Sequence, residues 1–225
     1  MPIMDNQEFI CDISYFDGLS QDEHQSIKKL AIERRYDRGD IIIYEGDKAS
    51  ALYIVCSGAV KIFKTSIEGK EQILSITRPG ETFNDVGVFD EGVNPASAQA
   101  MGEVVLYELG QNELNTLLQN HPIIAHNTIK VLAGQVRELV TLVEDLSFRH
   151  VIGRVAKILL EYAATDSIET PRLTQQEMAA MAGSAREVVG RSLKALEEDG
   201  LIKLNRHKVT ITDINALREM VEEPV

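Results

Sequence analysis

The chain has 225 residues, of which 44% are hydrophobic, and it carries a formal net charge of −12. This length is sufficient for two domains with separate cores, and the hydrophobic content excludes an intrinsically disordered chain. No apolar run approaches the roughly 20 residues of a membrane-spanning helix, and MPIMDNQEFI does not resemble a signal peptide, which predicts a cytoplasmic protein. The two cysteines, Cys11 and Cys56, form neither a metal-ligand spacing nor a disulfide framework.

The first half of the chain combines a helical start with a series of short strands. Residues 8 to 36 are predicted to be mostly helical, ending near Glu33 and Arg34. Glycines then recur at positions 39, 46, 58, 69, 80 and 87, and they separate segments rich in β-branched and aromatic residues: DIIIY, ALYIVC, AVKIFK and EQILSI. Short strands at this spacing are typical of a β-sandwich or a β-roll.

A long helix is predicted from about Ile123 to Ser147, because Asn120-His121-Pro122 is a typical helix start. The helix has two apolar rows, and two rows need two surfaces to bury them. We expect the first row, with steps of three and four, to form the seam of a parallel homodimer, and the second to pack on the chain's own β-roll. The second row consists of Ile129, Val136, Val140 and Val143. The first row consists of Ala125, Thr128, Leu132, Gln135, Leu139, Leu142 and Leu146.

The last third of the chain has the pattern of a winged helix-turn-helix. Residues 173 to 200, LTQQEMAAMAGSAREVVGRSLKALEEDG, contain two short helices joined at Gly183, a residue free to adopt a positive φ. The segment LIKLNRHKVTIT follows as two strands around residues 205 to 208, which form the wing. A further helix is predicted before this motif, over residues 151 to 164.

Both helices of the motif begin with the pattern of a capping box. Thr174 is followed three residues later by Glu177, and Ser184 in the same way by Glu187. In a capping box the hydroxyl accepts from the third backbone amide of the helix, and the carboxylate accepts from the amide of the capping residue. We therefore expect Ser184 to cap the second helix.

The second helix carries the residues expected to contact DNA bases. A helix in the major groove contacts bases with its first turns; Arg bridges guanine O6 and N7, and Glu accepts from cytosine N4. A solvated helix end on a packed bundle would show a similar pattern, with Glu187 and Arg191 forming only an ion pair. The DNA-contacting residues predicted from the motif and its basic wing are Thr174, Gln175, Ser184, Ala185, Arg186, Glu187, Gly190, Arg191, Lys203, Arg206 and Lys208.

The net charge is distributed unevenly along the chain. Residues 1 to 150 have 13 Lys and Arg against 23 Asp and Glu, and residues 151 to 225 have 10 against 12. Within residues 183 to 208 there are six basic and four acidic side chains. Basic side chains therefore concentrate on the second helix and the wing, where contacts with DNA phosphates need them.

Two parts of the chain resemble the cyclic-AMP receptor protein and fumarate-nitrate regulator superfamily (Crp/Fnr). SAREVVGRSLKALEEDGLI resembles its recognition helix, and RGDIIIYEGDKASALYIVCSG with GAVKIFKTSIEGKEQIL resembles its β-roll sensor domain. In the receptor-protein branch, the residues matching Arg186, Glu187 and Arg191 recognise the half-site TGTGA. The fumarate-nitrate branch lacks the first Arg and has Ser at the position of Gly190, so this chain sides with the receptor proteins. Ala185 departs from the Ser that this branch commonly uses for a phosphate contact.

The resemblance implies an α+β fold in three parts. A double-stranded β-helix, or β-roll, of the cyclic-nucleotide-binding type covers residues 1–122, a dimerisation helix covers 123–147, and a winged helix-turn-helix covers 148–225. It also implies a homodimer that binds a palindromic operator in double-stranded DNA and contacts RNA polymerase.

The predicted effector site differs from that of the cyclic-AMP receptors. In those receptors the phosphate-binding segment, here called the cassette, has the approximate sequence G-E-L-G-L-F, followed after a spacer by R-S. At the matching positions this chain has NDVGVF, starting at Asn84, followed by Pro95-Ala96. The Arg that neutralises the cyclic phosphate is missing, and Leu139-Val140 stands where a polar pair holds adenine. Cyclic AMP and cyclic GMP are therefore predicted not to bind. The pocket that the resemblance implies consists of Phe83, Asn84, Asp85, Val86, Gly87, Pro95, Ala96, Leu139 and Val140.

The sequence leaves several alternatives for the effector that the protein senses. An iron–sulfur cluster needs four thiolates and is excluded per chain, and redox chemistry at Cys11 is an alternative. Haem needs an axial ligand, but the cassette has Asn84 and Val86 where the carbon-monoxide sensors of the family have Cys and His. A small neutral or apolar ligand, or no ligand at all, also fits the sequence. The available histidines are His24, His121, His126, His150 and His207.

Two further classes of function have weaker support in the sequence. No phosphate loop, H-E-x-x-H or G-x-S-x-G motif is present, which argues against an enzyme. A protein-interaction module whose winged helix does not bind DNA is an alternative, against which Arg186 and Arg191 argue.

Overall fold

The computed structural model describes residues 13–164, 173–205 and 208–222. Its contacts divide the chain into two compact units, Met1–Lys64 with Ser75–Glu138, and Thr65–Leu74 with Leu139–Val225. The long helix contributes residues to both units, so the predicted boundaries at 122/123 and 147/148 do not coincide with this division and stay a prediction.

A β-roll of two four-stranded sheets lies between residues 32 and 110, in the first half of the chain. The strands of one sheet lie in the order β1-β8-β3-β6 and those of the other in the order β2-β7-β4-β5. Their pairings, where register is defined, are antiparallel, for example Val60 with Ala100 and Ile62 with Ala98. The strands are β1 Ile32–Tyr36, β2 Ile41–Ile43, β3 Ala51–Ser57, β4 Val60–Thr65, β5 Glu71–Thr77, β6 Thr82–Phe83, β7 Ser97–Ala100 and β8 Val104–Gly110.

The roll is held together by small and β-branched side chains that both sheets bury. A core cluster includes Val55, Val60, Ala98 and Leu106, each at most 1% exposed. Between β3 and β4 the chain turns at Gly58, whose φ is +82° and where a Cβ would lie 2.3 Å from the carbonyl oxygen of Glu103. A side chain at this turn would therefore both strain the backbone and collide with it.

Four helices and a short 3-10 turn accompany the roll. A Ser20–Glu23 capping box starts the first helix, which ends at Leu30. The predicted helix to Glu33 and Arg34 is wrong, because residues 32–36 pair with β8 as an edge strand. This strand is almost wholly exposed, so its sequence lacks the apolar alternation that marks a strand. The elements are the turn Ser14–Phe16 and helices α1 Gln21–Leu30, α2 Asp85–Phe89, α3 Gln111–Asn120 and α4 Pro122–Phe148.

The long helix α4 matches its predicted bounds to within one residue at each end, but the row that was predicted to pack on the roll is exposed. Thr128 is buried and donates its hydroxyl to the Ile124 carbonyl at 2.8 Å, and Gln135 donates to Asp85 within the first unit. The predicted packing of the second row on the roll is wrong, since its four residues are solvent-exposed. Ile129 is 67% exposed, Val136 59%, Val140 61% and Val143 63%.

The second unit ends in a winged helix-turn-helix. Helix α5 has its predicted bounds, and the two strands of the wing pair in antiparallel register, Lys208 with Asn205 and Ile211 with Ile202. A C-terminal helix, α8, was not predicted. The elements are α5 Val151–Ala164, α6 Gln175–Met181, α7 Arg186–Glu198, β9 Ile202–Asn205, β10 Lys208–Ile211 and α8 Ile214–Glu222.

Apolar faces of four helices and the wing close the core of this unit. Val155 on α5, Val189 and Leu193 on α7, Ile202 on β9 and Leu217 on α8 are each at most 2% exposed. Such burial fixes the orientation of α7, so that its opposite face is directed to solvent. Within the described ranges, no helix is both long and apolar enough to cross a membrane.

Candidate nucleic-acid interface and effector region

The first helix of the helix-turn-helix begins with the predicted capping box. The Thr174 amide donates to Glu177 Oε2 at 2.6 Å, and the Glu177 amide donates to Thr174 Oγ1 at 3.1 Å. The hydroxyl of Thr174 acts here as an acceptor and keeps its proton for another acceptor, such as a phosphate. Gln175 follows at the exposed first position of α6.

The second helix starts one residue later than predicted. Its capping residue is Ala185, which makes no side-chain capping bond, and Arg186 is its first residue. Glu187 is therefore the second residue of α7 rather than the third, and cannot complete the predicted box with Ser184. The backbone amide of Ser184 donates instead to the Ala179 carbonyl at 3.0 Å. The carboxylate of Glu187 is consequently not needed for capping, which leaves it available on the exposed surface.

Gly183 forms the turn between α6 and α7 as predicted. Its φ is +59°, and a Cβ would lie 2.7 Å from Leu146 Cδ2 and 3.0 Å from Gln72 Oε1. The side-chain amide Nε2 of Gln72 also donates to the Met181 carbonyl at 3.4 Å. The tip of the β4–β5 hairpin, which belongs to this unit, thus covers the turn of the motif.

The exposed face of α7 brings the predicted base-contacting residues together. Arg186, Glu187 and Arg191 are exposed, Gly190 lies between them, and no atom outside its own helix lies within 4 Å of a Cβ placed there. Lys194, three residues after Arg191, is exposed on the same face and was missed by the sequence reasoning. Its signal was the helical spacing from Glu187, Gly190 and Arg191.

The wing supplies one described basic side chain. Lys203 on β9 is exposed, and Lys208 begins β10. Arg206 and His207, at the tip of the predicted wing, lie outside the described residues.

In the effector region, the carboxylate of Asp85 is enclosed by donors from the chain itself. Asp85 is 4% exposed and accepts from Tyr15 Oη at 2.5 Å, Thr82 Oγ1 at 2.9 Å and Gln135 Nε2 at 2.8 Å. Burial and the neighbouring Asp85 charge raise the pKa of the Tyr15 hydroxyl well above its usual range, so it stays a donor. The network connects the N-terminal turn, the cassette helix α2 and α4.

The backbone of the cassette has no room for larger side chains. Asn84 adopts a left-handed φ of 69° and donates its amide to the Ala51 carbonyl at 3.0 Å. At Gly87, a Cβ would lie 2.7 Å from Ala49 Cβ and 3.0 Å from the Val93 carbonyl oxygen. Asn84 and Gly87 therefore both maintain the backbone conformation of the cassette.

The positions of the missing phosphate-binding pair are occupied by an exposed Pro95 and a buried Ala96. A cation does reach this loop: Lys64 Nζ donates to the Pro95 carbonyl at 3.2 Å. It also pairs with Glu45 Oε1 at 2.8 Å, which offsets its charge. The sequence reasoning missed this pair, because Lys64 on β4 and Glu45 in the turn after β2 are brought together only by the fold.

The other predicted pocket residues do not share one environment. Phe83 is buried against Tyr53, with ring centroids 5.0 Å apart, whereas Val86, Leu139 and Val140 are exposed side chains. Within the first unit the structure thus brings Phe83 to Gly87 together as one cassette.

The surroundings of the candidate redox and haem ligands do not favour either of these functions. Burial raises the pKa of the Cys56 thiol to about 12, and Cys11 lies outside the described residues. His24 is buried with Nε2 3.1 Å from the Phe16 carbonyl oxygen, and His121 Nδ1 lies 3.0 Å from Glu23 Oε1. His126 and His150 are exposed. In the described part of the chain, no three His, Cys, Asp or Glu residues are placed to hold a metal ion.

Taken together, the β-roll, the long helix and the exposed basic face of α7 define a DNA-binding protein with a sensor-type domain. Residues 33–121 match the model of the cyclic nucleotide-binding domain, and residues 153–220 match that of the Crp-like helix-turn-helix domain.

The chain is 35% identical to the cyclic AMP receptor protein of Thermus thermophilus over 205 residues, which is 91% of this chain and 95% of that protein. It is 30% identical to the CRP-like cAMP-activated global transcriptional regulator of Mycobacterium tuberculosis, over 93% of this chain and 97% of that protein. The structure of FixK2 from Bradyrhizobium japonicum is similar in fold, with a TM-score of 0.76 at 21% identity, covering 87% of this chain and 99% of FixK2. The chain belongs to the Crp/Fnr family of DNA-binding transcriptional regulators.

Proposed function

We propose that the protein acts in the cytoplasm as a homodimer that binds a TGTGA-like palindrome, contacts RNA polymerase, and responds to an effector other than cyclic AMP or acts without one. The observation that carries this proposal is the exposed face of α7, on which Arg186, Glu187 and Arg191 lie together.

The hydrogen-bonding groups on this face match the guanines and cytosines of the half-site. Arg186 and Arg191 can each donate two hydrogen bonds to O6 and N7 of a guanine, and Glu187 can accept from the N4 amino group of a cytosine. Gly190 has no side chain between them, so the helix backbone can approach the floor of the groove. Lys194 and Lys203 are placed farther along the surface and serve as phosphate contacts. Ala185 supplies no such contact.

The exposed row of α4 supports the homodimer. Ile129, Ala133, Val136, Val140 and Val143 are all exposed, at spacings of four, three, four and three residues. This is the spacing of a two-stranded coiled coil, in which each apolar residue inserts between four residues of the partner helix. The proposed seam therefore lies on this row. Of the row predicted from the sequence, Thr128 and Gln135 already have partners in the chain itself.

The cassette supports a departure from cyclic AMP. The carboxylate of Asp85 is 4% exposed and already accepts from three donors in the chain, so a ribose hydroxyl would have to exchange with one of them or reach the remaining acceptor site in a buried position. A cyclic phosphate at this loop would find Pro95 where the receptor proteins have arginine, and Lys64 would have to leave Glu45 to neutralise it. Both exchanges cost part of the binding free energy that a nucleotide would supply.

The proposal is tested by electrophoretic mobility shift with a TGTGA-N6-TCACA duplex and a duplex of the same composition in scrambled order. We expect a discrete complex with the palindrome at protein concentrations at which the scrambled duplex stays unbound. Equal shifts for both duplexes would mean that the face of α7 binds phosphates without recognising bases. No shift for either would favour a protein-interaction module.

A further inference from the structure

The junction between α4 and α5 contains a buried ion-pair cluster. Asp145, in the last turn of α4, is 8% exposed. Its Oδ1 accepts from Arg149 Nε at 2.6 Å, and its Oδ2 accepts from Lys157 Nζ on α5. Because a carboxylate buried without partners is very unfavourable, the two cations fix the position of Asp145 and, through Lys157, the position of α5.

Arg154 connects the same helix end to the helix-turn-helix. Its Nε donates to the Ala182 carbonyl at 2.8 Å, and its Nη1 donates to the carbonyls of Asp145, at 3.3 Å, and Arg149. Ala182 caps α6 and directly precedes Gly183, the turn residue. One guanidinium thus links the carbonyls of Asp145, in the last turn of α4, and of Arg149, just after it, to the residue that precedes the turn before the recognition helix.

A third contact extends the cluster to the C-terminal helix, since Arg149 Nη1 donates to the Val221 carbonyl on α8. Four helices of the second unit therefore meet at these side chains: the end of α4, α5, α6 at its capping residue Ala182, and α8. All of them lie within one compact unit.

We propose that Asp145 and Arg154 are positioning residues that determine operator spacing. By fixing the direction in which α6 and α7 leave the end of α4, they fix the distance between the two recognition helices of a dimer, and so the number of base pairs between half-sites. This inference rests on the proposed homodimer and its palindrome.

The test measures how strictly the protein selects spacing. Fluorescence anisotropy gives the Kd for palindromes with TGTGA half-sites whose spacer is N6 or is one or two base pairs shorter or longer. We expect wild type to bind one spacer best. Asp145→Asn keeps the shape of the side chain but removes its charge, and Arg154→Gln removes the bridging guanidinium. Either change should reduce the ratio between the best and next-best spacer about tenfold, which corresponds to the loss of one strong interaction.

Controls separate positioning from general damage. Glu108→Gln removes a carboxylate that pairs with Arg34 at 2.9 Å on the roll, and should leave the spacing ratio unchanged. Lys157→Met removes only one of the two cations that pair with Asp145 and leaves Arg149 in place. This variant therefore provides a second test of the cluster if Asp145→Asn does not fold. The double variant Asp145→Asn/Lys157→Met should lose no more selectivity than Asp145→Asn alone, because both belong to one interaction.

The outcomes distinguish the two proposals. If wild type shows no specific binding at any spacing, the proposed function fails. If wild type selects one spacer and the folded Asp145, Arg154 and Lys157 variants select it as strictly, the positioning role is wrong.

Discussion

At the scale of single residues, Arg186 is the side chain on which the proposed base recognition most depends. It is the first residue of α7 and is exposed, and Ala185 before it adds no side-chain cap that would compete for the space. The carboxylate of Glu187 is likewise not needed to cap the helix. Neither Arg186 nor Glu187 is therefore used to cap α7, and both side chains are available for the proposed contacts with bases.

Arg186→Ala should weaken binding to the TGTGA palindrome by about 1–3 kcal/mol and reduce discrimination at one guanine, because a bidentate contact is lost. Anisotropy titrations with the palindrome and with duplexes substituted at single guanines measure both effects. Arg38→Ala, which removes an exposed charge from the roll, is the matched control and should leave affinity unchanged. Undiminished guanine discrimination in Arg186→Ala would remove this residue from base recognition.

Gly183→Ala should lower the free energy of unfolding by about 1–2 kcal/mol, since a Cβ strains the left-handed backbone and meets Leu146. Urea denaturation followed by circular dichroism measures the change. Gly153→Ala is the control, because Gly153 lies in α5 and a Cβ there meets nothing within 4 Å. It should stabilise the protein by about 0.5–1 kcal/mol. Equal effects of the two substitutions would show that Gly183 is not structurally required.

Cys56 should react very slowly with iodoacetamide in the folded protein at pH 8. Its pKa is raised to about 12 by burial, so only about one thiol in 10,000 is a thiolate at that pH. The raised pKa also means that the contribution of Cys56 to stability is complete below about pH 9 and is lost as the pH rises towards 12. Peptide mapping after alkylation, with and without urea, measures the rate; rapid labelling without urea would contradict this.

At the scale of elements, α4 has two different sides. One side carries polar groups with partners in the chain, and the other carries the exposed row from Ile129 to Val143. Burial of such a row against a second copy removes apolar surface from water, which is the dominant favourable contribution to association.

Val136→Asp/Val140→Asp should convert the dimer to monomer, because each substitution places a carboxylate in the seam. Sedimentation velocity at micromolar concentration measures the oligomeric state. Lys130→Asp is the control: Lys130 is exposed but lies about 100° round the helix from Ile129, outside the seam. A monomeric wild type, or a double variant that stays dimeric, would contradict the proposed seam.

The elements themselves were largely predictable from the sequence, and their faces were not. The spacing of glycines, the bounds of α4 and the Thr174 capping box follow from local patterns, and the structure has all of them. Which row of α4 is exposed depends on Asp85 and Gln135, which are 50 residues apart in the chain. The edge strand β1 and the cap at Ala185 were missed for related reasons, since pairing with β8 and the start of α7 override local preferences.

At the scale of the whole molecule, the DNA-binding half and the sensor half differ in how closely they follow the receptor proteins. The side chains of α7 that we propose to contact bases match that branch in identity and are exposed. The cassette has its carboxylate enclosed by the chain's own donors and lacks the phosphate-binding arginine. We therefore expect the protein to retain the DNA specificity of the receptor proteins and to lack their response to cyclic AMP.

Fluorescence anisotropy with the TGTGA-N6-TCACA duplex, in the absence and presence of millimolar cyclic AMP, tests this separation most directly. We expect specific binding by the purified protein and an affinity that cyclic AMP changes less than about twofold, because a ligand without differential affinity shifts no equilibrium. An affinity raised about tenfold or more by cyclic AMP, or equal binding to a scrambled duplex, would contradict it.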